Sequence, residues 1–261
     1  MNILEEIIDY KRLEVEKRKI VTPVSLLELD GSFSRKKISL RSALMERTNT
    51  GIIAEFKRKS PSKGMINENA EVVDTTSAYV KHGASALSVL TDEYFFGGST
   101  DDLLKARVNT IPILRKDFII DEYQVFETKA MGADIILLIA ACLSVTEVKK
   151  LARLAQSIGL EVLLEIHNEE ELQHICEEID LVGINNRDLK TFEVDINRSL
   201  QLSKQIPADK VIIAESGIDD TATIKMFKAA GFKGFLMGEK FMKADDPGIA
   251  FEQFVQQLKR P

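Results

Sequence analysis

Tryptophan is absent from this chain, cysteine occurs twice and histidine three times, and each scarcity narrows what the protein can do. Without tryptophan it has no indole fluorescence of its own. Cys142 and Cys176 show neither CxxC spacing nor the number a disulfide framework needs, so they read as buried or incidental thiols in helical or helix-flanking segments. His82, His167 and His174 lack metal-ligand spacing as a set, so no metal is expected, and no Ser–His–Asp order or activated cysteine stands out. His82 and His174 read as surface or helix-end residues, and His167 as a rim residue near a strand end. No apolar run reaches membrane-spanning length, and the opening MNILEEIIDYKRLEVEKRK mixes both signs of charge, unlike a secretory or transit peptide. A cytoplasmic protein without membrane contact is expected. The net charge of -6 argues against nucleic acid as a partner. No low-complexity segment appears, and no GxGxxG follows the first strand.

What is present is an alternation. Residues 2–19 carry Ile3, Leu4, Ile7, Ile8, Leu13 and Val15 at helical spacing, which predicts an amphipathic helix serving as a structural cap. SLRSALMER predicts a second short helix. From Gly51 onward, apolar runs predict strands at 52–58, 86–92, 112–118, 134–141, 161–167, 181–187, 210–216 and 234–240. Their continuous apolar character suits strands covered on both faces. Between them NAEVVDTTSAYVKHG, DEYQVFETKAMG, VTEVKKLARLAQSIG, EEELQHICEEI and DTATIKMFKAAG predict helices, several stopping at glycine. Eight alternating pairs in 261 residues predict an α/β fold, a single (β/α)₈ TIM barrel with an N-terminal helical extension. The expected division is extension 1–48 and barrel 49–261 within one domain.

Most of the apolar runs end in polar residues that do not belong in a core. In a parallel barrel these tips converge on one mouth. Side chains alternate along a strand, so Glu55 and Lys57 share the inward face while Ala54 and Phe56 face the outer helices. The pair is either structural or catalytic. Lys116, on the parity of Leu114, and Glu165, on that of Leu163, can point into the mouth; a snorkelling lysine and a rim carboxylate are the alternatives. Asn185 and Arg187 share the parity of Gly183, and the Arg187 guanidinium suits either a loop tie or a carboxylate. Ser216-Gly217 and Gly238 stand at the seventh and eighth strand tips, where backbone N–H groups bind phosphate in many barrels. Lys59 and Ser60 of RKSPSKG can add a charge and a hydroxyl from a loop over the mouth.

At these residues the chain resembles indole-3-glycerol-phosphate synthase. The resemblance runs through IIAEFKRKSPSKG (52–64), LSVLTDEYFFGGS (87–99), PILRKDFIID (112–121), GADIILL (132–138), LLEIHNEEEL (163–172), GINNRDL (183–189) and IAESGI (213–218). It implies a small phosphorylated substrate, 1-(2-carboxyphenylamino)-1-deoxyribulose 5-phosphate, converted by ring closure, decarboxylation and dehydration without a cofactor. Lys116 matches the family's general acid and Glu165 the base of dehydration. Lys57 matches the group that binds the anthranilate carboxylate and is also a candidate for proton transfer, with Glu55 and Asn185 positioning hydroxyls and lysines. Arg187, Glu215 and Ser216 match polar neighbours. Pro61, Phe96, Phe118 and Leu137 match the apolar wall, and Ser60, Gly217 and Gly238 the phosphate end. Glu239 and Asn186 stand where serine is frequent in the family. The chain ends soon after AFEQFVQQLKR, so a single activity is expected. The oligomeric state stays open, a monomer being favoured. A phosphoribosylanthranilate isomerase-like barrel is the alternative enzyme, disfavoured by EFKRKSPS and KDF. A catalytically silent binding subunit would have no need of Lys57, Lys116 and Glu165 together.

Overall fold

The computed structural model describes residues 3–46, 48–188 and 193–260; Leu189, the last residue of GINNRDL, lies outside them. Eight strands close into one parallel barrel in which each neighbours the next: β1 Ile52–Phe56, β2 Ala86–Leu90, β3 Ile113–Lys116, β4 Ile135–Ile139, β5 Glu161–Ile166, β6 Leu181–Asn185, β7 Val211–Glu215 and β8 Gly234–Met237, with β8 pairing back to β1. Each strand is shorter than its apolar run. Ladder pairing ends at Lys116 and at Glu215, so Asp117-Phe118 and Ser216-Gly217 fall in loop.

Alternation sorts the core into two layers. Ile53, Leu114, Leu137, Leu163, Ile213 and Leu236 fill the barrel interior. Ala54, Phe56, Val89, Ile136, Leu164 and Ile184 pack outward against the helices. Leu40 and Leu44, from the helix Leu40–Met45, complete the interior cluster. That helix is seated by Glu161 at the start of β5, whose Oε2 accepts the Leu40 and Arg41 N–H groups at 2.8 and 3.1 Å, an acid at a helix N-terminus.

Two expected elements differ. EEELQHICEEI forms only a 3₁₀ turn, Glu169–His174, which stops as Ile175 becomes extended. His174 is buried there, its ring nitrogens 3.1 Å from the Glu171 carbonyl and 3.0 Å from that of Leu143. It ties the turn to the barrel instead of facing solvent. RKSPSKG is not a plain loop but a two-residue antiparallel hairpin pairing Lys59–Ser60 with Gly64–Met65.

The N-terminal helix α1, Ile3–Val21, does more than cap. Ile7, Lys11 and Val15 form its buried face at i, i+4 and i+8. Lys11 is 1% exposed, with Nζ 2.8 Å from Asp92, 2.9 Å from Asp117 and 2.7 Å from Glu14. Asp92 and Asp117 follow β2 and β3, so the helix is locked to two strand tips. Asp117 also meets Arg115 at 3.0 Å and Thr91 at 2.7 Å. Burial would raise its pKa, but Lys11 and Arg115 hold it below the ordinary carboxylate value. Lys11→Met should therefore cost about 3–5 kcal/mol, because it strands buried carboxylates. Urea unfolding measures this; a loss under about 1 kcal/mol would mean that the pair behaves as a surface ion pair.

Candidate active site

At the C-terminal ends of the strands lies a cavity of about 250 Å³. Glu55, Lys57, Lys116, Glu165, Asn185 and Glu215 all line it, as the parity of their strands requires. So do Ser60, Pro61, Phe96, Phe118, Arg187, Ser216, Gly217 and Gly238. Leu137 does not. It is fully buried in the barrel interior, and Ile139, two residues on and on the same face, lines the cavity. The apolar wall is further built by Leu90, and by Ile3, Leu4 and Ile7 of α1.

The floor is a mesh of charges. Lys57 Nζ lies 2.8 Å from Glu55 Oε1. Lys116 Nζ donates to Glu165 Oε2 at 3.1 Å, and Asn185 Nδ2 donates to Glu165 Oε1 at 2.9 Å. Burial alone would lower the Lys116 pKa, but the carboxylates of Glu165, Glu215 and Glu55 outweigh it and hold the ammonium above its ordinary value. Burial would likewise raise Glu165, and here Lys116, then His167 and Asn185, prevail and keep it well below the carboxylate range. Glu215 goes the other way. Burial, reinforced by the negative charges of Glu165 and Glu55, pushes it up to about 8. Its side chain occupies the space that a Cβ on Gly183 would need, since that atom would fall 2.1 Å from Glu215 Oε1. One site thus gathers a lysine held toward its charged form, a carboxylate held toward its ionised form and a carboxyl pushed toward its neutral form.

The aromatic and polar ends are distinct. Phe96 and Phe118 stand 5.9 Å apart at a 39° tilt. Opposite them Ser216 and Gly217 both have left-handed backbone, with φ of 65° and 66°, a conformation unusual for serine and characteristic of functional sites. Gly238 caps the short helix Glu239–Met242, and a Cβ there would meet Glu55 at 2.8–3.0 Å. Glu239 stands beside it, engaged by Lys243 and 3.7 Å from Arg187. Lys59 turns away from the cavity to the Tyr94 carbonyl at 3.0 Å.

Three contributors were missed by the sequence reading. His167 is buried 3.2 Å from Glu165 rather than on an open rim, and its parity with Glu165 was the available signal. Asn186 is fully buried, its Nδ2 donating to the Ser216 carbonyl at 2.7 Å and its N–H to that of Glu215 at 2.8 Å. It holds the tips of β6 and β7 together. The third is the N-terminal end of α1, where Ile3, Leu4 and Ile7 read as cap residues. Among the described residues no group of three His, Cys, Asp or Glu side chains is placed to hold a metal ion, and no helix is long and apolar enough to cross a membrane.

Residues 4–254 match the family model described as indole-3-glycerol phosphate synthase. The chain is 48% identical over 259 residues to the protein of that name from Bacteroides thetaiotaomicron, covering 99% of each. It is 45% identical over 254 residues to the one from Burkholderia vietnamiensis, covering 95% of this chain and 97% of that one. Among solved structures, 3-hexulose-6-phosphate synthase from Salmonella typhimurium superposes with a TM-score of 0.63 at 15% identity, over 80% of this chain and 98% of that one. The tryptophan synthase complex of Pyrococcus furiosus gives 0.58 at 14%, over 80% and 97%. The last two show a shared barrel fold.

Proposed function

The chain belongs to the indole-3-glycerol phosphate synthase family, a carboxy-lyase of tryptophan biosynthesis, and from that premise we propose how its residues divide the reaction. The observation that carries the proposal is the 3.1 Å contact between Lys116 and Glu165 at the cavity floor. Ring closure comes first. The aromatic carbon bearing the carboxylate attacks the sugar ketone, and the Lys116 ammonium protonates the developing alkoxide. Lys57, steadied by Glu55, holds the departing carboxylate, and the aromatic ring lies along Phe96, Phe118 and Pro61.

Loss of carbon dioxide restores the ring and releases Lys57 from its anion. The hydroxyl left by the ketone then departs as water with a proton from Lys57, while Glu165 takes a proton from the neighbouring carbon. Discharge of Lys116 in the first step prepares this. It removes the largest charge that depresses Glu165, making that carboxylate a stronger base when one is needed. Glu165 then returns its proton across the 3.1 Å contact to Lys116, and Lys57 is recharged from solvent, which supplies the one proton that decarboxylation of a carboxylate consumes in each turnover. Conversion of the carboxyphenylamino substrate, followed by indole fluorescence against a protein without tryptophan, tests the activity.

The phosphate is assigned to the end formed by Ser60, Ser216, Gly217 and Gly238, with Arg187 and Glu215 as polar neighbours. Because bulk at Gly238 would also disturb Glu55, Ser60→Ala is the cleaner probe. It should raise the Michaelis constant about tenfold, as loss of one hydrogen bond to a charged group implies, and shrink the preference over the dephosphorylated analogue. Full discrimination by the variant would move the phosphate elsewhere. One folding unit, a monomeric state and a cytoplasmic location complete the proposal; the two free cysteines suit a reducing compartment.

A further inference from the structure

Among the buried ionisable side chains that the proton path leaves unused is His167. His167, just past β5, is 6% exposed and is not among the side chains lining the cavity. Its ring lies between two carboxylates: Nδ1 is hydrogen-bonded to Glu171 Oε2 at 3.2 Å, and Nε2 stands 3.2 Å from Glu165 Oε1 as an ion-pair contact without hydrogen-bond alignment. Glu171 is itself anchored. Its Oε2 accepts the backbone N–H of His167 at 2.7 Å and its Oε1 accepts Asn168 Nδ2 at 3.0 Å.

A neutral imidazole has one N–H, which Glu171 takes, and leaves a lone pair facing the Glu165 carboxylate, so only the charged ring is attracted to both. We propose that His167 is a positioning residue for dehydration: its imidazolium bridges Glu171 to Glu165 and fixes the Glu165 carboxylate so that Oε2 stays turned to Lys116. The inference rests on Glu165 being the dehydration base. Its timing matters. Once Lys116 has given up its proton, His167 is the remaining cation against Glu165, and it keeps that carboxylate in place for the incoming proton.

The surrounding groups favour the charged ring. Glu165 from β5 and Glu171 from the 3₁₀ turn face it directly. Glu215 from β7 adds negative charge once ionised, and Lys116 from β3 opposes from beyond Glu165. Cys142, after β4, stays a neutral thiol because burial pushes it up to about 12. Asn185 from β6 is uncharged. Burial pulls the imidazole pKa down, but Glu165 and Glu171 overcome it and raise it to about 9. A raised histidine keeps its charge below that value, so the bridge is present at neutral pH and is lost as pH rises through about 9.

Two measurements on the full-length protein test this: imidazole nitrogen NMR against pH, with only three histidines to assign, and rapid-quench rates of dehydration and ring closure across the same range. Wild-type His167 should titrate near 9 and dehydration should fall there, while ring closure, set by the more basic Lys116, should not. His167→Gln cannot charge. It should slow dehydration on the order of tenfold, within the cost of misplacing a reacting group, and abolish the fall. Glu171→Gln keeps the ring but removes one anion, and should move the NMR titration and the fall together to lower pH by about one unit. An ordinary titration near neutrality in the wild type, or wild-type rate and profile in His167→Gln, overturns the proposal. If that variant does not fold, unmoved curves in Glu171→Gln overturn it instead. Slow dehydration in Glu165→Gln beside a normal His167→Gln removes only the positioning role; normal dehydration in Glu165→Gln removes the base, and this inference with it.

Discussion

Replacing Lys116 with methionine is expected to lower turnover by about 10²–10⁴-fold, the contribution of one general acid, while the barrel stays folded. Methionine fills the same volume without a proton to give. Glu165 is not orphaned by the change, since Asn185 still donates to it at 2.9 Å and His167 still stands 3.2 Å away. The fold should therefore survive the loss of the ion pair, and a melting curve beside the fluorescence assay would show it. Near-normal turnover by a folded Lys116→Met protein would reject Lys116 as the acid. The pH profile offers a second handle. A lysine held above its ordinary pKa stays charged as pH rises through the range where free lysine neutralises, so ring closure, the step dependent on its proton, should persist there.

Glu165→Gln is expected to reduce turnover by a similar factor, about 10²–10⁴-fold, with the effect concentrated in kcat. The amide keeps the shape of the carboxylate but cannot take the proton. It also meets a conflict. Glutamine presents one donating and one accepting face, whereas Glu165 accepts from Lys116 on one oxygen and from Asn185 on the other, so one contact must break. A modest fall in melting temperature should accompany the loss of rate. If kcat holds and only the Michaelis constant rises, Glu165 positions substrate and is not the base.

The barrel was legible because a period of two is hard to disguise. Reading Glu55 and Lys57 on one strand face and Ala54 and Phe56 on the other needs only alternation, and the two core layers follow that division. Depth was not legible. Leu137 and Ile139 share a face, and sequence does not say which of them stands at the top layer; the answer depends on barrel tilt and on where pairing with β5 ends. Lys11 was hidden for a different reason. It reads as one charge among many on an amphipathic helix, and its partners Asp92 and Asp117 become neighbours only when β2 and β3 are side by side. Its place between Ile7 and Val15 on the apolar stripe was the clue. His167 was likewise judged alone, although its parity with Glu165 aimed it at the same carboxylate. Long-range electrostatics of this kind has no local signature, whereas strand tips rich in Lys, Glu and Asn do.

The division of labour between Lys116 and Glu165 is tested most directly by a rapid-quench single turnover of the carboxyphenylamino substrate with Lys116→Met and Glu165→Gln side by side, each quenched species being identified by mass. With Lys116→Met the quenched mixture should contain intact substrate, because ring closure has no acid. With Glu165→Gln it should contain a ring-closed, decarboxylated species that has not yet lost water. The same species accumulating in both variants would contradict the account.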